Sequence, residues 1–171
     1  MGYDDNEALA AVARHEAGHA LACIAVGGTN VTAVVELGST DHGHTDPPQW
    51  LDEDDIDREV VYAAGLLAQA RLGLAIEIDG LLNDLGKVWS MLGAKGRKLT
   101  GGSEPDFKDL LLWALVVGGV ASQFLRAVWC DVIKVARLLA DDPGTPVTVD
   151  EHVEVAAIRA TYAQCRAGVG D

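Results

Sequence analysis

The chain has 171 residues, the size of one ordinary domain, and its 49% hydrophobic and 5% aromatic content favours helices packed closely through small side chains. Thirteen Lys and Arg stand against 26 Asp and Glu, a net charge of -13. The resulting field repels phosphate backbones and anionic lipid surfaces, which argues against nucleic acid and against a membrane as partners. Cys23, Cys130 and Cys165 form no CxxC pair, and the first two lie in apolar helical stretches, so free thiols in a reducing, cytoplasmic compartment are expected.

In chain order, "MGYDDNEALAA" is acidic and carries neither a basic nor a long apolar segment, so no secretory signal is expected there. Asn6 is the expected cap of a first helix that runs to the stop at Gly27 and Gly28. "VTAVVEL", Val31 to Leu37, is rich in β-branched residues and predicts a strand. The turn-forming "GSTDHGHTDPP" after it has room for a short partner strand before Pro47 and Pro48. A second helix is predicted over "DEDDIDREVVYAAGLLAQARLG", its first turn crowded with acids as the helix dipole favours. A third is predicted from Leu81 to Leu92, followed by a hinge, "GAKGRKLTGGSEPD", from Gly93 to Asp106. The apolar run from Leu110 to Leu125 is shorter than a bilayer span and contains Gly118, Gly119, Ser122 and Gln123, so a buried core helix is expected. Thr148 and Glu151 have capping-box spacing, which predicts a last helix from Val149. The expected organisation is one domain over 1–171, mainly α, with a catalytic part over 1–94 and a helical part over 106–171.

The first helix carries the chemistry. Between Ala8 and Val26 its only strongly polar side chains are Arg14, His15, Glu16 and His19, and a helix apolar on all sides is a buried one. Buried imidazoles and a carboxylate require specific partners. In the H-E-x-x-H spacing two histidines one turn apart can direct ring nitrogens to one zinc ion, and the intervening Glu reaches the water that zinc acidifies. Core histidines bonded to backbone carbonyls are the plainer alternative.

Zinc requires a further ligand. Ala22 and Ala25 occupy the places where a metzincin has its Gly and third His. In "GLLNDLGKVWSML", Asp84 falls within the apolar arc made by Leu81, Leu85, Val88 and Met91, and a carboxylate on a buried face is rarely left without a metal or a cation. The competing reading is a buried Asp bonded to Arg, Trp or backbone. Glu36, in the predicted strand, and His42 and His44, in "DHGHTD", are lesser ligand candidates, more simply read as a solvent-facing strand residue and a solvated turn.

The order of "HEAGHAL", the strand "VTAVVEL", "LLAQARLG" on a helix and then "NDL" resembles the peptidase domain of FtsH-type AAA zinc proteases. The likeness runs from about Ala8 to Leu92, with the C-terminal helices similar in outline. It implies zinc on His15, His19 and Asp84, Glu16 as the catalytic base, and a helical metallopeptidase fold with a small β element beside the active-site helix. The sequence departs from the family in two places. "GAKGRK" lacks the ending of a GxxxxGK[ST] phosphate loop, and "EIDGL" precedes "NDL" where the family has small and hydroxylated residues. The expectation is a stand-alone zinc metalloendopeptidase that is ATP-independent on its own and acts on peptides or unfolded protein, with room for a homo-oligomer. The alternatives are a catalytically silent metal-binding relative with a regulatory or structural role, and a protease subunit that docks on a separate ATPase. The predicted strand is expected to bind substrate backbone by strand addition.

Overall fold

A computed structural model of the protein describes residues 5–36, 43–45, 56–71 and 107–168. Among these are five α-helices and a three-stranded antiparallel sheet. The mainly helical class with a small β element, expected from the sequence, is what the chain adopts. The third predicted helix, with Asp84, the hinge over 93–106, and His42 lie outside the described residues.

Helix α1, Asp5–Ala25, begins one residue before the expected cap and runs through the middle of the core. Ala13, Ala17, Ala20, Leu21, Cys23 and Ile24 are all fully buried, which follows from a sequence with no polar face to turn to water. The helix ends where the paired glycines place its end. Gly27 takes a positive φ of 106°, its N–H donates to the Ile24 carbonyl, and the Gly28 N–H donates to the Cys23 carbonyl. This is a Schellman closure, in which glycine meets no Cβ penalty. From the far end of the chain Arg159 donates to the Ile24 and Gly28 carbonyls at 3.1 and 3.0 Å, placing a cation on the negative end of the helix.

Strand β1, Thr32–Val35, pairs with β2, Gly43–Thr45, in the register Ala33 to Thr45 and Val35 to Gly43. The other side of β1 pairs with β3, Val147–Thr148. Val31 and Val35 extend that side by accepting from the N–H groups of Val149 and Gly144. Both edges of β1 are therefore occupied, which corrects the expectation that it receives a substrate strand. Among the described strands β2 is the edge on the side away from β3.

Helix α2, Ile56–Ala70, packs antiparallel to α1: Val61 lies against His19 and Gln69 against His15. Contact is close because Gly18 of α1 faces Ala64 and Ala68, where a Cβ would stand 2.7 Å from the Ala64 carbonyl oxygen. Helices α3, Phe107–Ala127, and α4, Trp129–Asp141, meet at Val128 with a bend of 79°. As expected for a core helix, α3 buries Val117, Val120, Ala121, Phe124 and Leu125. Among the described residues no single helix is long and apolar enough to cross a membrane.

The predicted last helix is displaced. Val149–Glu151 form one 3₁₀ turn, and α5 spans Val155–Ala167. Thr148 is held in β3 and makes no side-chain cap, while the Asp150 carboxylate accepts the backbone N–H groups of Asn30 and Val31. Strand pairing and this tether hold the segment that local capping would have made helical. Helix α5 is joined to the start of α2 at Asp57, which accepts from the Tyr162 hydroxyl at 2.6 Å and pairs with Arg166 at 3.0 Å. Residues from both sides of the 93–106 stretch share one hydrophobic core.

Candidate metal centre

His15, Glu16 and His19 occupy the central turns of α1, with residual exposures of 8%, 5% and 6%. A four-residue separation on a 3.6-residue helix stacks the two imidazoles on one side, and their centroids are 4.5 Å apart at 85°. Helix α2 holds both rings by their Nδ1 atoms. His19 Nδ1 is 2.8 Å from the Val61 carbonyl oxygen, and His15 Nδ1 is 3.1 Å from the Gln69 side-chain oxygen.

Those contacts decide the chemistry of the other nitrogens. A carbonyl or amide oxygen only accepts, so each Nδ1 carries the proton and donates it. The lone pair of each neutral ring is then at Nε2, and the two Nε2 atoms converge to 2.9 Å. Two lone pairs at that distance repel unless a proton or a cation is shared between them. Neutral imidazole nitrogens are ligands that zinc accepts, and His15 and His19 would hold it through these Nε2 atoms. Anchoring of Nδ1 by an acceptor while Nε2 faces inward is also the orientation that metal-binding histidines adopt. The donor set thus fits zinc at its first two positions. Among the described residues no third His, Cys, Asp or Glu joins the pair to complete a metal-holding group.

Glu16 projects to the flank of the histidine pair, toward the hairpin. The Thr45 hydroxyl donates to Glu16 Oε2 at 2.8 Å. Gly43 packs against the same side chain, so a Cβ there would stand 2.5 Å from Glu16 Cγ and 2.7 Å from Oε1. The short strand β2 therefore fixes the carboxylate from one side. Its two ends do so by different means, a hydroxyl at Thr45 and the absence of a side chain at Gly43.

The structure brings together His15, Glu16 and His19 of the expected site. Glu36, just past β1, and His44, in β2, are both exposed. Gln69, Thr45, Gly43 and Gly65 also shape the site, and sequence reasoning missed them. For Gln69 a signal existed: it is the one polar residue in the apolar run from Ala63 to Ala70, the same argument that singles out Asp84. No family model, curated protein or solved structure matches the chain.

Proposed function

We propose that the protein is a zinc-dependent endopeptidase of the H-E-x-x-H kind, with His15, His19 and Asp84 as the zinc ligands and Glu16 as general base. The observation that carries this reading is the convergence of the two Nε2 atoms at 2.9 Å while both Nδ1 atoms are engaged by α2. Core histidines serving only to fill space have no need to aim two lone pairs at one point.

Zinc, when bound, supplies a Lewis acid that polarises the scissile carbonyl and acidifies water. The chain supplies the rest. Glu16 accepts the proton of the attacking water on its carboxylate and passes it to the leaving amine. Thr45 fixes the carboxylate by bonding Oε2, which orients the remaining oxygen for proton transfer. The apolar walls of α1 limit water around the site and strengthen these electrostatic contacts. Strand β2, an edge among the described strands, lies directly beside Glu16, so an extended peptide is best received there, paired to backbone rather than selected by side chain. The resemblance to FtsH-type peptidases supports the same assignment of ligands and base. The substrate under this reading is a peptide or a protein segment already unfolded, met by the chain alone, as a homo-oligomer or docked on a separate ATPase.

A second reading has one observation in its favour: the 2.9 Å contact between the rings also suits a proton shared by the pair, as in a catalytically silent relative. Metal analysis of the purified protein, with cleavage of an unstructured protein by wild type and by Glu16→Gln, separates the two. Stoichiometric zinc with Glu16-dependent cleavage is the expected result; zinc without such cleavage, or no zinc, rejects the peptidase.

A further inference from the structure

Val61, Gly65 and Gln69 follow one another at four-residue spacing along α2 and form a single stripe. On α1 the spacing from His15 to His19 is the same, and the two helices run antiparallel in contact. The stripe therefore meets both rings in register. Val61 receives His19 Nδ1, Gly65 leaves room for the His19 ring, and Gln69 receives His15 Nδ1. One anchor is a backbone carbonyl, present whatever side chain stands at 61. The other depends wholly on the side chain at 69, which is itself 3% exposed.

We infer that Gln69 is a positioning residue that sets the tautomer of His15 and aims its Nε2 into the metal site. This rests on the metallopeptidase reading for its consequence, although the tautomer itself is a property of the metal-free protein. An amide oxygen fixes the proton on Nδ1 without adding a negative charge to the site. A carboxylate at the same place would fix the same tautomer and increase ring basicity. A side chain of similar size with no acceptor removes the constraint and leaves the Nδ1–H of a buried ring without its partner, so the proton moves to Nε2 in part of the population.

The test uses the full chain with Gln69→Leu and Gln69→Glu. In metal-free wild type, nitrogen NMR of the His15 ring is expected to show the Nδ1–H tautomer. In Gln69→Leu a mixture is expected, and zinc affinity, measured by competition with a chromophoric chelator, falls ~10–100-fold. In Gln69→Glu the tautomer is retained, with affinity at or above wild type. An unchanged tautomer and an affinity within about twofold of wild type in folded Gln69→Leu would overturn the assignment, on the scale of that expected loss. So would a folded Gln69→Glu protein whose zinc affinity falls ~10-fold or more below wild type, and this result decides the matter should the Leu variant fail to fold. Failure of the metallopeptidase reading looks different: wild type itself binds no zinc, while the tautomer still changes in Gln69→Leu.

Discussion

Gly65 of α2 lies flush against the His19 ring, so close that a single added methyl would overlap its Nε2, Cε1 and Cδ2 atoms. The ring cannot swing aside without loss, because its Nδ1 is bonded to the Val61 carbonyl one turn earlier. Helix–helix contact and ligand orientation are thus the same interface.

Gly65→Ala should therefore act on both. Overpacking at a buried contact of this kind costs ~1–3 kcal/mol, visible as a lower melting temperature. Zinc affinity should fall with it, since relief of the overlap requires His19 to leave the orientation that aims Nε2 at His15. Denaturant melts and chelator competition on the same preparation check the pair of effects.

Glu16→Gln should leave the fold and bound zinc in place, because an amide oxygen still accepts from the Thr45 hydroxyl. Cleavage of an unstructured protein should drop by ~10²–10⁴-fold, the usual contribution of a general base. Metal content measured alongside activity distinguishes this from loss of the site.

Asp84→Ala tests the ligand inferred from the apolar arc of its segment. Removal of a direct ligand should weaken zinc binding by at least the ~10–100-fold seen when outer-shell partners are removed. Full affinity in this variant would show that the third ligand is elsewhere.

Arg159→Ala should destabilise the protein without touching the site. The guanidinium serves the Ile24 and Gly28 carbonyls at the end of α1, and hydrogen bonds to a charged donor contribute ~1.5–3 kcal/mol. A shift of the urea midpoint with unchanged zinc stoichiometry is the expected outcome.

The three thiols should react in order of exposure. Cys130 is exposed and Cys23 buried, while burial raises the pKa of the half-buried Cys165 above its ordinary value. Since the thiolate is the nucleophile, a raised pKa leaves less of it at a given pH. Alkylation at neutral pH should label Cys130 first, with Cys165 gaining as pH rises and Cys23 labelled only on unfolding. Peptide mapping over a pH series reads this directly.

Much of α1 is legible in the amino-acid sequence. A run of Ala, Leu, Val and Ile with no polar face has only the core to occupy, and paired glycines end it by a purely local closure. The β1–β2 hairpin follows from β-branched residues between turn formers. The misreadings occur where distant contacts override local preference. Thr148 looks like a cap but serves as a strand residue, because Thr32 pairs with it. Glu59 is a charged residue to which its sequence assigns no special place, yet it is fully buried.

For the site the division is similar. The sequence determined that His15 and His19 share a face with Glu16 beside them, because helical periodicity is a local property of the residues from 15 to 19 and needs nothing else. Tertiary structure decided which nitrogen each ring presents. The oxygens that hold the Nδ1 atoms come from residues 42 and 54 positions away, and only the close antiparallel packing of α1 on α2 through Gly18, Ala64 and Ala68 brings them within hydrogen-bonding distance.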